Sequence, residues 1–428
     1  MSIFNRKSLS VKIFWGVWVL LLMSTSALAD EQTSEKPEDW EKQLERLRAV
    51  PYIGFSETVV DESGTGVVFY NPEMAYSGYN LYCTWSSGKA FLMDMEGQVV
   101  HQWIYKPQEE SASKHGVMAD HAIMLENGEL IVLRKWEELL RLNWDSEVIW
   151  RREMEAHHDV GRAPDGSLYV PVRKFRNFRG MDVRFADLVH LTADGEEIDR
   201  WSTYDYLAQI KFVLDTRPFL DTVLDNALAN LSGENEQSEQ VKEKIMRYYR
   251  YDYFHLNNVT VLPPTALGKR DLRFREGNLL VCFRNVDQIA VLEKDTYRVL
   301  WAWGVPQLKG PHHPTLLENG HILIFDNGYP PRAYSRVVEL EPITETIVWE
   351  YKADPPEDFY SYSRGSAQRL PNGNTLICES DKGRVFEVTM DGEIVWEWLN
   401  PATVEGRCET LYRMERLSSD LVESLLKK

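Results

Sequence analysis

The stretch HPTLLENGHILIF, residues 313–325, contains the local pattern that decides the fold of this chain. A histidine opens the stretch, an apolar run leads to the turn Glu318-Asn319-Gly320, and a second apolar run follows. Because Asn-Gly tolerates the positive φ angles of a two-residue hairpin turn, the stretch is predicted to form a strand, a tight turn and a second strand. A further hairpin then leads to Trp349.

The same pattern returns six times along the chain. The copies cover residues 79–105, 121–150, 158–201, 255–303, 313–349 and 366–398. Continuous apolar segments such as residues 322–325 are typical of strands buried on both faces. Copies of four short strands that cannot bury their own faces indicate the blades of a β-propeller. The sequence therefore predicts an all-β, six-bladed β-propeller over residues 51–417.

Each copy closes on a tryptophan, and large aromatic side chains supply contact area between packed sheets. We therefore predict that these side chains pack between blades and have no role in the chemistry. The closing tryptophans are Trp103, Trp150, Trp201, Trp301, Trp349 and Trp396.

Three segments lie outside the repeats. Residues 30–50 are charged and predicted to be helical, and residues 418–428 are predicted to form a C-terminal helix. An insertion at about residues 204–253, between the third and fourth blades, has the apolar spacing of helices around Ile210, Val213 and Leu214. It is interpreted as a lid, a dimer contact or a decoration. Strands from both ends of the chain are expected to complete one blade.

The amino terminus has the pattern of an export signal. Arg6, Lys7 and Lys12 precede an apolar stretch over residues 13–23, and Ala27-Leu28-Ala29 offers a small-residue cleavage site. The apolar stretch is too short to span a bilayer comfortably. We therefore expect residues 1–29 to be a signal peptide, the protein to be periplasmic or secreted, and no stable membrane insertion.

Charge and cysteine spacing exclude several classes of function. The formal charge is -18, and removal of the signal with its three basic residues makes it -21. Such acidity argues against nucleic acid or an anionic membrane as a partner. Cys83, Cys282, Cys378 and Cys408 have no C-x-x-C spacing, which argues against a zinc ribbon or a thioredoxin-like site. Buried free thiols are expected rather than disulfides.

Polar side chains are predicted to meet at one mouth of the propeller. In a blade, the start of the first strand and the end of the second strand lie at the same face. Imidazole acts as a nucleophile, an acid or a metal ligand near neutral pH, and arginine adds a fixed fork for an oxyanion. The residues placed at this mouth are His121, His158, His255, His313, Arg134, Arg173, Arg284, Asp326 and Glu379.

Four segments together carry a resemblance to a known family. They are His157-His158-Asp159, His255 with Asn257, Arg284 at the end of the next strand, and His313 before the segment Leu323-Ile324-Phe325-Asp326-Asn327-Gly328. On these segments the chain, over roughly residues 66–417, resembles the arylsulfotransferase family. These are exported aryl sulfate sulfotransferases that use no nucleotide sulfate donor.

The resemblance implies a transferase and assigns roles to residues. His313 would attack sulfur and carry a transient sulfuryl group, which a phenol would then accept. His255, Arg284 and His158 would hold sulfuryl oxygens or assist the phenolic oxygen, and Asn257 would orient them. Arg173 at the same mouth is expected to bind substrate. The resemblance implies aryl sulfates and phenols as small-molecule partners, and neither a metal nor another cofactor.

Two other classes of function stay open at this point. Three histidines at one mouth would suit copper or zinc, which would make the protein a metalloenzyme. A propeller also serves as a binding scaffold without catalysis, because a fold does not dictate a function.

Overall fold

Antiparallel strands dominate the described part of the chain, which in this computed structural model covers residues 55–59, 64–105, 118–178, 181–214, 251–404 and 407–427. The strands form six blades around a central axis, and this confirms the predicted all-β, six-bladed propeller. The predicted signal peptide and the predicted helical lead, residues 1–50, lie outside the described residues.

In the first three blades, the strands follow one another from the central axis outward. Blade 1 contains Met414–Ser418, Gly78–Cys83, Lys89–Met93 and Val99–Ile104. Blade 2 contains Ala119–Met124, Leu130–Arg134, Glu138–Leu142 and Val148–Glu153. Blade 3 contains Gly161–Arg162, Leu168–Phe178, Met181–Leu191 and Glu197–Ser202, with Tyr251–Asp252 parallel to its third strand.

The other three blades have the same order. Blade 4 contains Leu256–Val261, Leu279–Phe283, Gln288–Leu292 and Val299–Trp303. Blade 5 contains His312–Leu316, Ile322–Asp326, Arg336–Glu341 and Thr346–Tyr351. Blade 6 contains Ser366–Arg369, Thr375–Glu379, Arg384–Val388 and Ile394–Leu399, with Gly66–Tyr70 as an additional outermost strand.

The two ends of the propeller meet in blade 1, as the sequence predicts. The strand Met414–Ser418 from the carboxyl end is its innermost strand, and the other three come from the amino-terminal side. Arg416 on this closing strand forms a 3.0 Å ion pair with Glu387 of blade 6, and both side chains are fully buried. Its Nε donates to Oδ1 of Asn80 in blade 1 at 2.7 Å. Arg416 therefore ties the closing strand to both blades that flank the closure.

The closing tryptophans pack between blades, as predicted. Three of them donate their indole N–H to a turn carbonyl of the next blade: Trp150 to Ala193 at 3.0 Å, Trp349 to Met390 at 2.8 Å, and Trp396 to Met95 at 2.9 Å. The side chains of Trp103, Trp201, Trp301 and Trp396 are buried.

The predicted turns and buried strands are present. Gly320 has a φ of +88°, and a β-carbon there would lie 2.7 Å from Cβ of Leu267, so the turn requires glycine for both conformation and space. All five residues of Leu130–Arg134 and of Ile322–Asp326 are buried. The four cysteines are buried and free, which confirms the expected thiols.

The remaining described elements are a small sheet, short helices and 3₁₀ turns. A small sheet contains Phe55–Val59, Arg407–Glu409 and Thr403–Val404. The helices span Leu207–Leu214, Ala266–Arg270 and Ser419–Leu426. Short 3₁₀ turns span Leu272–Phe274, Arg284–Val286, Pro356–Asp358 and Ser380–Lys382.

Helix Leu207–Leu214 begins the segment in which a helical insertion is predicted. The rest of that insertion, residues 215–250, lies outside the described residues, so its helical character stays a prediction. Among the described helices, none has both the length and the apolar character needed to cross a bilayer.

Candidate functional site

A cavity of about 870 Å³ lies along the axis of the propeller. Residues from the innermost strands of all six blades line it, together with the hairpin turns at residues 317–319 and 370–373. Where the innermost strands begin, four polar side chains reach its wall: His121, Asp159, His313 and Arg413. The volume falls in the range of small-molecule sites in proteins.

His158, His255 and His313 share an uncommon backbone conformation. Their φ angles are +71°, +52° and +47°, in the left-handed region that residues other than glycine seldom adopt. Each of them lies next to the start of an innermost strand. Backbone strain of this kind concentrates at functional sites, where the surrounding structure holds it in place.

The His313 imidazole has a defined tautomer. Its Nδ1 lies 3.1 Å from the backbone oxygen of Ala367, and a carbonyl oxygen only accepts hydrogen bonds. Nδ1 therefore carries the proton, and Nε2 carries a lone pair. Burial, and then the positive charge of Arg413, hold the pKa of His313 well below its usual value. The ring is neutral at pH 7, as a nitrogen nucleophile must be.

Asp159 is the centre of a buried network beside His313. Nη1 of Arg413 lies 2.9 Å from Oδ1 of Asp159 and 3.4 Å from Nε2 of His121. Nδ1 of His121 lies 3.2 Å from the same carboxylate oxygen. Burial alone would raise the pKa of Asp159, but the charge of Arg413 and the contact with His121 hold it well below its usual value. Asp159 is therefore ionised and balances the charge of Arg413.

His158 and His255 form a second group, in which the imidazole rings lie 4.8 Å apart. Nδ1 of His255 lies 2.7 Å from Oδ2 of Asp252, so this nitrogen donates to the carboxylate and the tautomer is fixed. Burial lowers the pKa of His255 to about 4, against the opposing effect of Asp252. Burial also holds the pKa of His158 well below its usual value, so both rings are neutral at pH 7.

Arg284 lies on the His255 side of the site. Its Nη2 donates to the backbone oxygen of Tyr362 at 3.3 Å, and its guanidinium lies 5.6 Å from the centre of the Tyr362 ring. After burial, the charge of Arg284 contributes most to lowering the pKa of His312. Asn257 donates from Nδ2 to the backbone oxygen of Pro311 at 3.0 Å, which fixes the segment just before His312.

Arg173 is engaged by groups outside the two histidine clusters. Its Nη2 lies 2.9 Å from a carboxylate oxygen of Glu155, and its guanidinium lies 4.6 Å from the centre of the Trp136 ring. Asp326 forms ion pairs with Arg332 and Arg336. The side chains of Arg173 and Asp326 thus have structural contacts away from His313.

The side chains expected at one mouth therefore form two neighbouring groups. His313 contacts the network around Asp159 in the cavity wall, whereas His158 and His255 pack against each other and Arg284 lies near His312. The strand pairing shifts register between His312 and Thr315, which changes the side to which successive residues of this segment point. The sequence alone could not show which residue of the His312-His313 pair faces the cavity.

Three residues of the site were not selected from the sequence. Asp252 precedes His255 by three residues, and that spacing is a signal that could have found it. His312 is buried and, among the described residues, its Nε2 has no hydrogen-bond partner. Arg413 immediately precedes the closing strand Met414–Ser418 and is 254 positions from Asp159 in the sequence. Nothing in its local sequence indicates a role in the site.

Metal binding was one of the open alternatives. Over the described ranges, no group of three or more His, Cys, Asp or Glu side chains has the arrangement of a metal site.

Comparison with protein families gives a match over most of the propeller. The model of the family described as Arylsulfotransferase (ASST) matches residues 121–401, a range that contains all the histidines of the site and Arg284 but ends before Arg413. None of the curated proteins matches the chain significantly.

Many solved structures are similar to the chain at low sequence identity. A protein of unknown function from Bacteroides caccae is 12% identical, over 79% of this chain and 98% of its own, with a TM-score of 0.47. A virginiamycin B lyase from Staphylococcus aureus is 8% identical, over 83% and 88%, with a TM-score of 0.43. The β-propeller domain of Cps50 (Swd1) from Myceliophteria thermophila is 11% identical, over 83% and 90%, with a TM-score of 0.40.

Proposed function

The chain belongs to the arylsulfotransferase family, and we propose on this basis that it moves a sulfuryl group from an aryl sulfate to a phenolic acceptor through a covalent intermediate on His313. The observation that carries the assignment of His313 is its tautomer. The hydrogen bond from Nδ1 to Ala367 leaves the Nε2 lone pair for attack, in a side chain that lines the axial cavity. No nucleotide sulfate donor takes part in the proposed reaction.

The reaction consists of two displacements at sulfur. In the first, the Nε2 lone pair forms an N–S bond, the S–O bond to the arene breaks, and the electron pair leaves on the phenolic oxygen, which takes up a proton. In the second, an acceptor phenol loses its proton, its oxygen attacks sulfur, and the N–S bond breaks. Division of one transfer into two steps is the general advantage of covalent catalysis.

His255 is proposed as the acid and base for the phenolic oxygens. The contact between its Nδ1 and Asp252 resembles the orientation of a catalytic histidine by a carboxylate, which fixes the ring and stabilises the imidazolium that forms during proton transfer. His158 packs beside this ring and would assist it. Arg284, which lies on the His255 side of the site, would stabilise negative charge on the sulfuryl oxygens. Asn257 would hold the segment that leads to the nucleophile.

A transfer assay tests this function directly. We expect the purified protein to release 4-nitrophenol from 4-nitrophenyl sulfate in repeated turnovers only when a phenol is added, and to form one sulfated phenol for each 4-nitrophenol. Mass spectrometry measures the sulfated product, and absorbance measures the released 4-nitrophenol. Release of inorganic sulfate in place of a sulfated phenol would show a hydrolase and contradict the proposal.

Export is proposed from the amino-terminal sequence. The charged start, the apolar stretch and the Ala27-Leu28-Ala29 segment predict cleavage after Ala29. We therefore expect the mature protein, isolated from the periplasm or the medium of an expressing bacterium, to begin at Asp30. Intact-mass measurement checks this expectation, and an exported protein that retains residues 1–29 would contradict it.

A further inference from the structure

Arg413 lines the same cavity as His313, although the sequence gives no reason to select it. It immediately precedes the closing strand Met414–Ser418. Its side chain is 9% exposed. A charged group so deeply placed at a cavity wall needs a partner for its charge and for each of its N–H groups.

Asp159 supplies the charge partner but leaves most of the guanidinium unused. A guanidinium has five N–H donors, and the contacts with Asp159 and His121 involve Nη1 alone. In the described part of the chain, the buried Nε of Arg413 has no hydrogen-bond partner. A buried donor without a partner costs about 1–3 kcal/mol, so it calls for an explanation such as a ligand, an ion or a water.

The Asp159 carboxylate, in contrast, is fully engaged. Besides Arg413 and His121, it accepts hydrogen bonds from Nδ2 of Asn258 and from the backbone N–H of Val259, the latter at 3.2 Å. Ionised carboxylates offer about four acceptor positions, and three hydrogen bonds together with the 3.2 Å contact of His121 surround those of Asp159. Asp159 therefore fixes the position of Arg413 and has no capacity for the remaining N–H groups.

We propose that Arg413 is a further catalytic residue, whose free N–H groups bind oxygens of the sulfuryl group in the axial cavity while sulfur moves to and from Nε2 of His313. This inference rests on the proposed function. The three sulfuryl oxygens carry the negative charge of the group, and a planar guanidinium fork held rigidly by Asp159 stabilises that charge without reorganisation. The arene lies against apolar cavity residues such as Ile123, Val259 and Leu316.

Arg413 and Arg284 act on different members of the adjacent pair His312 and His313. Arg413 is the charge that lowers the pKa of His313 most, after burial, whereas Arg284 has that effect on His312. The structure thus pairs each of the two adjacent histidines with a different arginine.

The test uses variants at Arg413 and one matched control. Arg413→Lys keeps the charge and removes the fork. The double variant Asp159→Asn/Arg413→Gln removes both charges together, so no unpaired charge is left buried. Arg273→Gln is the control, because Arg273 is not among the residues that line the cavity and Asp271 engages its guanidinium through hydrogen bonds of 3.0 and 2.7 Å. Melting temperatures verify that each variant is folded.

Two measurements are made on each protein. Calorimetry measures the binding of 4-toluenesulfonate, an analogue whose C–S bond does not react. Rapid mixing measures the burst of 4-nitrophenol from 4-nitrophenyl sulfate without acceptor. We expect the double variant to bind the sulfonate at least about 10-fold more weakly and to show a burst about 100-fold slower, the usual effect of removing one oxyanion donor. Arg413→Lys should give values between those of the double variant and the natural protein, and Arg273→Gln should stay within about 2-fold of the natural protein.

The outcomes separate this inference from the proposed function. If the natural protein shows a burst and the folded Arg413 variants keep both the burst and the sulfonate binding, the role of Arg413 is wrong and the function stands. If the natural protein shows neither burst nor transfer, yet binds the sulfonate through Arg413, the function is wrong and the anion site stands. Equal losses in Arg273→Gln and the Arg413 variants would also overturn the role of Arg413.

Discussion

His313→Ala is expected to abolish both the burst of phenol from an aryl sulfate and the addition of a sulfuryl mass to the protein. The alanine has no lone pair to form the N–S bond, so we expect the burst rate to fall by about three orders of magnitude or more. Stopped-flow absorbance measures the burst. Mass spectrometry of peptides at neutral pH measures the modification, because a sulfuryl group on imidazole is expected to be labile in acid.

The variant should stay folded, since the half-buried His313 side chain has one hydrogen bond to the backbone and contributes little to blade packing. His190→Ala is the matched control. His190 is also half-buried and stacks on Tyr169 in blade 3, away from the cavity. The burst of phenol from His190→Ala should therefore equal that of the natural protein. Fragment ions must separate His312 from His313, because the two are adjacent. A sulfuryl mass on His312, His158 or His255, or a burst that persists in His313→Ala, would contradict the assignment.

The architecture could be predicted because its determinants are local and repeated. The Asn-Gly and Asp-Gly turns, the continuous apolar strands and the closing tryptophans each depend on a few neighbouring residues, and the pattern returns from copy to copy. Even the closure of blade 1 could be anticipated, since a strand such as Met414–Ser418 needs a partner at the other end of the chain. The indole hydrogen bonds between blades, such as that from Trp396 to Met95, required coordinates.

The site could be predicted only in part, for a reason of geometry. Successive side chains on a strand point to opposite faces, and a shift of one residue exchanges them. The strand pairing shifts register after His312, so the choice between His312 and His313 depends on a register that the sequence does not reveal. Arg413 reaches Asp159 only because the chain closes on itself, and contacts of that kind leave no local pattern.

Acidification is expected to destabilise the propeller strongly between pH 7 and pH 5. Burial lowers the pKa of six imidazoles in and around the site, those of His121, His157, His158, His255, His312 and His313. In the unfolded chain the same groups titrate near pH 6.5. Below that pH the unfolded state binds more protons than the folded state, so the free energy of unfolding falls as the pH falls toward the folded pKa values.

The carboxylates of Asp120, Asp159 and Asp252 face these rings and reduce the penalty for protonation, while Arg184, Arg284 and Arg413 increase it. An imidazole whose folded pKa lies below 5 lowers the free energy of unfolding by about 2 kcal/mol between pH 7 and pH 5. Three such groups would remove about 6 kcal/mol, which is comparable with the whole stability of many domains.

Urea unfolding at pH 7, 6 and 5, followed by tryptophan fluorescence, measures this dependence. His157→Phe provides the sharpest comparison. Among the described residues neither ring nitrogen of His157 has a hydrogen-bond partner, and the side chain is fully buried, so an apolar ring should replace it at little cost. The slope of the free energy of unfolding against pH measures how many protons the chain takes up on unfolding. We expect this number to decrease by about one in the variant. An unchanged slope in His157→Phe would show that His157 is not buried in its neutral form. If the free energy of unfolding of the natural protein did not change with pH, none of the six imidazoles would be buried in its neutral form.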